Sequence, residues 1–443
     1  MYVFVSLLSI SGCSYKKVKP DKEILSIQNS TQDSIDQNLS MPVSEQCLKT
    51  GLSCEQAIGI ALQNSDSLQA KFKELGVAKA DLVQAGLYSN PHLLAIFQFA
   101  TPNRLHFDTY IQIIGSWNVS DLWVVPRRKK VSQDQLEIVT FDIMETILDI
   151  RLGIQKAYTN CLCANAQVYH AQELLRLAQK LYNCAQQQPK DKVGFMLDMH
   201  RAQVFVEQIR IAVAQALFEQ RNAFINLASA LGVSISGDPI LLTDQLTSIA
   251  GVEGYILPES IEHHPKILKA QLKIRREKNR KSFEKSRFLN DFSLGFYWNN
   301  TPSNDMTAAG AAPAFVGPTI GLSVPCFDTN YAQVARAEFL IHKAEHDYAN
   351  VKDSLLAYIA SCRAEMSTAQ MIIDYYAQIV DAYENFIEYE NDNFKLAKFG
   401  SVSELNIHLS DLFDRKKDML KAYTQLRHAI ASFEHATGGK LCA

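Results

Sequence analysis

The chain has 443 residues, of which 47% are hydrophobic and 21% charged, a balance that excludes both a disordered chain and a polytopic helical membrane protein. Its 44 basic residues against 47 acidic ones leave a formal net charge of −3, which excludes bulk nucleic-acid binding. Nine cysteines form no framework, and Cys161 and Cys163, two apart on a helix, point about 200° away from each other and cannot share a metal.

In chain order, Val3 to Ile10 is a short apolar run closed by Ser11-Gly12-Cys13. A run of that length before small residues predicts a secretory signal over residues 1–12, not a membrane span. Ile10-Ser11-Gly12-Cys13 resembles a bacterial lipobox. That resemblance implies cleavage before Cys13, a covalent lipid on Cys13 and anchorage in a membrane leaflet; Ser14, in place of an aspartate, suits the outer membrane. Residues 13–51, rich in Ser, Gln, Asp and Lys, then read as a flexible lipidated tether.

Ser53, with Gln56 three residues on, predicts a capped helix start, and an apolar stripe carries that helix to about Leu87. Ser89-Asn90-Pro91 ends it. Two strands follow, His92–Ala100 and Thr109–Val119, joined by a hairpin loop over 101–107. Pro126 reads as the first residue of a long helix. From Arg127 to Ala185 no proline and one glycine, Gly153, interrupt it. Such a rod spans roughly 90 Å. Its recurrent charges (Asp134, Glu137, Asp142, Glu145) make it aqueous, so it packs on other rods. After a short break a second helix returns to Gly232.

A connector over 233–257 precedes the same order again: a helix from Pro258 to about Arg287, a strand at Phe292–Trp298, a loop over 299–317, and a strand at 319–324. A rod from about Asn330 to Lys398 and a return helix ending at Thr437-Gly438 complete it. Gly115 with Gly321, Gly194 with Gly400, and Gly232 with Gly438 are each 206 residues apart. The chain is therefore an internal duplication of an α-β-β-α-α unit, 52–232 and 258–438, followed by a tail at 439–443. Four strands cannot close a barrel, so closure requires other chains. Phe292, Leu294, Phe296 and Trp298 with Ile320, Leu322 and Val324 make one apolar face; Ser293, Gly295 and Tyr297 with Thr319, Gly321 and Ser323 make the other polar or small. That alternation suits a water-filled membrane barrel, and Trp117, Trp123, Trp298 and Phe327 lie near strand ends, where interfacial aromatics sit.

This order, together with LSCEQAIGIALQNSDSLQAK at 52–71, AKADLVQAGLYSNPHL at the helix-to-strand junction and HPKILKAQ at the second repeat, resembles the TolC-type outer-membrane efflux proteins over about residues 52–438. The resemblance implies a mainly α fold with a small membrane β-barrel contribution. Long antiparallel helices of a homotrimer would form an α-barrel tube topped by a shared twelve-stranded β-barrel. It implies residence in the bacterial outer membrane with extension into the periplasm, contact with outer-membrane lipid, a periplasmic membrane-fusion adaptor as partner and, through it, an inner-membrane pump.

No Gly-rich phosphate loop, HExxH or GxSxG is present, so no catalytic residue, cofactor or metal ligand is expected, and His263-His264 read as exposed junction residues. The helix breaks carry the functional expectation. Gly194 and Gly400 permit tight reversals. Asp198 and Glu404, equivalent positions, suit the first turn of each returning helix. Val193, Phe195, Phe399 and Val402 beside them would be the adaptor-docking surface that the resemblance implies. Asp374, Glu384, Glu388, Glu390 and Asp392 approach the second break and are candidates for an acidic gate ring. Arg127-Arg128-Lys129-Lys130 would lie at the periplasmic leaflet. The reading is a passive conduit for small solutes, drugs or metal cations, in a tripartite efflux system. The alternatives are the outer channel of a type I protein secretion system and a periplasmic coiled-coil structural lipoprotein without a pore.

Overall fold

The computed structural model describes residues 51–99, 110–187, 195–233, 241–247, 261–289, 291–300, 314–395 and 402–438. Its elements are α1 (Cys54–Asn64), α2 (Asp66–Ala85), β1 (His92–Gln98), β2 (Tyr110–Asn118), α3 (Asp121–Gln186), α4 (Phe195–Leu231), α5 (Pro265–Ser286), β3 (Ser293–Asn300), β4 (Ala314–Gly321), α6 (Tyr331–Lys395) and α7 (Val402–Ala436). The duplicated order is therefore present, and α3 and α6 run 66 and 65 residues without interruption. Each spans about 100 Å at 1.5 Å per residue. Gly232 and Gly438, paired by the repeat, end α4 and α7 with the same positive φ, 68° and 83°, the conformation glycine adopts after a helix without steric cost.

The local departures from expectation have physical causes. The first helix is two: Ser65, extended at ψ 110°, closes α1 and lends its hydroxyl to the Leu68 N–H at 3.3 Å, capping α2. The capping box at Ser53 and Gln56 forms as expected, with both bonds made. Pro126 does not open α3, which starts at Asp121. The first turn forms by Leu122, Trp123 and Val124 N–H bonding back to Val119 and Ser120 carbonyls, so proline falls one turn in. The second loop is shorter than expected, because β4 begins at Ala314 and carries Pro318 within an edge strand, where a missing donor is tolerated. α5 begins at Pro265, the first-turn position that suits proline.

The described residues divide into two bodies, each drawing corresponding pieces from both repeats: those within 71–142 with 266–351, and those within 51–70, 143–265 and 352–438. In the first, the strands form one antiparallel sheet in the order β1-β2-β3-β4. Beneath it α3 and α5 run antiparallel, tied by Arg275 Nε to Asp134 Oδ1 at 2.8 Å, Asn279 Nδ2 to Asp134 Oδ2 at 2.6 Å, and Arg276 Nη1 to Gln135 Oε1 at 2.6 Å. Asp134 is buried, and this set of donors satisfies both its oxygens.

In the second body, Leu52 anchors the folded start. It forms a parallel bridge with Leu242, its N–H reaches Leu241 O at 2.7 Å, and its carbonyl accepts the buried Tyr158 hydroxyl at 2.8 Å. Burial first, then the nearby Asp244, raises the Tyr158 phenol above the ordinary tyrosine range. Leu52, Ile58, Ile154, Cys161, Leu227 and Leu231 share the surrounding core. Cys161 is fully buried and its thiol is pushed up to about 12 by that burial. His264 is not exposed: at 3% it is buried, with Nε2 3.3 Å from the His435 carbonyl, because the ring packs on the last turn of α7.

Candidate functional site: an amphipathic sheet and a four-helix end

Register assigns every strand residue to a face, since directly opposed residues share one. Leu93, Ala95 and Phe97 of β1 oppose Gly115, Ile113 and Ile111 of β2. Those in turn oppose Phe296, Trp298 and Asn300 of β3, and Leu294, Phe296 and Trp298 oppose Ile320, Pro318 and Val316 of β4. One face is thus apolar along all four strands apart from Asn300 at its end. It is also exposed: Leu93 and Ile320 at 72%, Val316 at 74%. An apolar sheet face of this extent, open to its surroundings, is what a water-soluble protein avoids. The opposite face carries Gln112, Ser116, Ser293, Tyr297, Asn299 and Thr319, together with the apolar Leu94, Ile96, Ile114 and Phe315. On it Asn299 Nδ2 donates to the Tyr110 hydroxyl at 3.3 Å, which donates to Gln112 Oε1 at 3.3 Å. The expected alternation is therefore present along β3, holds along β2 and β4 apart from Ile114 and Phe315, and is absent from β1, which is apolar on both faces between His92 and Gln98.

The strand-to-helix junctions are built at one end of this sheet. Val119 N–H bonds Phe292 O at 2.8 Å, and Trp123 stacks on Phe292 with centroids 6.3 Å apart. Asp121, buried, accepts the Ser89 N–H at 2.5 Å, which holds the turn between α2 and β1 against the start of α3. Arg128 sends Nε to Ala85 O at 2.9 Å and Nη2 to Leu87 O at 2.7 Å, capping the last carbonyls of α2. Arg127 Nη1 reaches Trp123 O at 2.7 Å. Two of the four basic residues read as lipid contacts are thus engaged by backbone carbonyls, and the role of Arg128 is invisible in sequence because α2 and α3 meet only in the fold.

In the second body the ends of four helices share one core. Leu174, Ala178, Leu181 and Ala185 of α3 pack on Ala202, Phe205, Val206 and Ile209 of α4, on Leu405 and Leu409 of α7, and on Ile387 of α6. The facing ends of α3 and α4 and of α6 and α7 therefore lie at the same end of this body. Val193, Gly194, Phe399 and Gly400 lie outside the described residues, as does Cys13; Phe195, Val402 and Glu404 fall in the first turns of α4 and α7. Asp198 is half-buried in the first turn of α4. Of the acidic candidates, Asp374 is exposed and accepts from Gln370 at 3.1 Å, while Glu384 is tied to Lys416 at 2.5 Å. Glu388, Glu390 and Asp392 continue α6 toward the break.

Between α4 and α7, one turn from the breaks, lies a groove of about 420 Å³. His200, Arg201, Val204, Phe205, Asn406 and Ile407 line it, and Asn406 Oδ1 is buried there without a partner among the described residues. A second feature escaped sequence reading. Leu197, Val204, Ile211, Phe218 and Ile225 recur every seventh residue along α4 and are 46–67% exposed. The signal was legible as a heptad spacing, but α4 also carries a buried stripe (Ala202, Phe205, Ile209, Ala216), and two apolar stripes on one helix blur the periodicity.

No family model matches the sequence. Protein CyaE of Bordetella pertussis is 23% identical over 350 residues, covering 72% of this chain and 70% of that protein. Among solved structures, CusC, described for transmembrane channel formation, superposes with a TM-score of 0.71 at 16% identity over 91% of this chain and 96% of its own. The open-state outer membrane channel MtrE of Neisseria gonorrhoeae gives 0.71 at 17% identity over 88% and 89%. The CmeC outer membrane channel of Campylobacter jejuni gives 0.67 at 16% identity over 87% and 85%. A mostly helical chain with one small antiparallel sheet, built twice from the same unit, this protein has the fold of the TolC-type outer-membrane channels.

Proposed function

We propose that this chain is the outer-membrane channel subunit of a tripartite efflux system, a passive conduit for small solutes such as drugs or metal cations. The observation that carries the proposal is the four-stranded sheet with one exposed apolar face, an opposite face that gathers the polar residues of β2 and β3, and two outer strands, β1 and β4, that have no further strand partner among the described residues. Open edges cannot face lipid, and four strands are too few for a barrel. A homotrimer would supply twelve. The exposed heptad stripe on α4 supports self-association along the rods, since knobs at seven-residue spacing seek a facing helix.

The outer membrane is the compartment this reading requires, with Cys13 as lipid anchor. The paired helix ends and the groove beside them are the docking region for a periplasmic adaptor, with Gly194 and Gly400 at its tips and Val193, Phe195, Phe399 and Val402 around them. Conductance of the purified protein in planar bilayers tests the channel; absence of conductance from inserted protein overturns it. Crosslinking from the two tips tests the adaptor. Gly194→Val with Gly400→Val is expected to abolish adaptor capture while leaving the oligomer intact, and unchanged capture overturns the docking assignment. The acids Asp374, Glu384, Glu388, Glu390 and Asp392 are proposed as gate residues, for which conductance insensitive to divalent cations would be the contrary result.

A further inference from the structure

The level at which helices give way to strands carries both apolar and cationic groups that the conduit does not use. All four junctions lie at the same end of the sheet, because Asn118 opposes Ser293 and Ser293 opposes Gly321. Around them Leu122 and Phe288 are half exposed, Tyr331 is 77% exposed and Phe327 is fully exposed. Large apolar and aromatic side chains standing out at the end of an apolar sheet face match the boundary between hydrocarbon and headgroups.

The cations sit just below. The antiparallel register of α3 and α5, fixed where Asp134 meets Arg275 and Asn279 and where Asp142 meets Lys269, can be carried toward the sheet. It brings Lys285 level with Arg127, and Lys129 and Lys130 level with the turn before it. Asn330, bonded to the Glu284 carbonyl at 2.7 Å, sets the start of α6 at the same height. Arg127 and Arg128 are spent on backbone carbonyls, and Arg287 lies 3.4 Å from Glu284. Lys129, Lys130 and Lys285 are exposed. The acids at this level are Asp121, Glu284, Asp291, Asp328 and Glu338, the last paired with Lys281 at 2.6 Å and within electrostatic reach of Lys285. The first two are buried, and Asp328 Oδ1 already accepts the Asn330 N–H at 2.9 Å.

We infer that this level is a binding collar for anionic phospholipid in the leaflet on the helix side. Lys129, Lys130 and Lys285 contact the headgroup phosphates, and Leu122, Phe288, Phe327 and Tyr331 seat against the acyl boundary. The chemistry is a compact ammonium set beside an apolar wedge, which favours a phosphate held at a membrane surface over one free in solution. The inference rests on reading the sheet as membrane-embedded.

The test reconstitutes the full-length protein in bilayers of phosphatidylcholine with a minor fraction of phosphatidylglycerol and counts retained lipids by native mass spectrometry. Preferential retention of phosphatidylglycerol is expected. Each lysine near an anionic surface contributes about fivefold, so the Lys129→Gln, Lys130→Gln, Lys285→Gln variant should lose at least tenfold of that preference. The corresponding arginine variant should keep it, as should a control with Lys180, Lys343 and Lys352 changed to Gln, residues exposed away from the collar. An unchanged preference in the triple glutamine variant, or an equal loss in the control, overturns the collar. Failure of the wild-type protein to insert overturns the membrane reading of the sheet instead, and the two results are distinguished by flotation with the vesicles.

Discussion

Gly115 and Phe296 are direct partners across β2 and β3, and the Phe296 ring covers the space that a side chain at 115 would need. One pair over, Gly295 faces Ser116 and Thr319, and a Cβ there would run into the Gly115 carbonyl and come within 2.7 Å of Thr319 Oγ1. The two glycines let β2 and β3 approach with an aromatic laid across one face.

These neighbours differ in how far they can yield. Phe296 is 44% exposed and can swing aside, whereas the Gly115 carbonyl is held in the ladder. Gly115→Ala is expected to cost under about 1 kcal/mol and Gly295→Ala about 1–3 kcal/mol. Denaturation of the two variants in detergent, followed by near-ultraviolet circular dichroism of the sheet tryptophans, orders them. A larger loss at Gly115 would contradict the account.

The helix-ending glycines should respond alike to alanine because both hold positive φ. Each change costs about 1–2 kcal/mol from backbone strain alone. Gly232 should cost more than that strain alone, since its added Cβ would meet Asn64 Cβ at 3.0 Å and Asn64 O at 3.2 Å, while the Asn64 amide already bonds Leu231 O at 3.2 Å. Urea midpoints of the two variants measure these costs.

Ile211→Asp with Phe218→Asp should disrupt assembly without unfolding the subunit. Both residues are exposed on α4, at 59% and 67%, and the buried stripe of the helix is untouched. The expected outcome is a shift toward monomer by light scattering after chromatography, with helical circular dichroism retained. Ile209→Asp, in the buried cluster, should instead lose helicity.

Acid should weaken the second body through His428. Its Nε2 lies 3.3 Å from the Lys156 carbonyl, and burial, opposed in part by that bond, holds its proton affinity below the ordinary histidine range. A histidine depressed on folding binds fewer protons folded than unfolded. Its contribution to stability is therefore present above about pH 6.5 and falls as pH drops below it. The urea midpoint is expected to decline from pH 7.5 to 5.5, and His428→Gln should flatten that slope. An unaltered slope in the variant would assign the acid sensitivity elsewhere.

Much of this architecture follows from the order of residues alone. The capping box at Ser53 and Gln56, the alternation along β2 and β3, the unbroken rods and the glycine pairs at a spacing of 206 are local or periodic signals, and local backbone preference and side-chain period set them without reference to the rest of the chain. Tertiary structure decided what depends on residues far apart meeting. It moved the start of α3 from Pro126 to Asp121, because the first turn is held by Asp121 against Ser89 and by Val119 against Phe292. It turned Arg128 from a surface charge into the cap of α2, and buried His264 under α7. It also separated the two apolar stripes of α4, sending Phe205 inward and Phe218 outward. Hydrophobicity is the same on both faces of that helix, and only the packing of α3 and α7 against one of them tells core from contact surface.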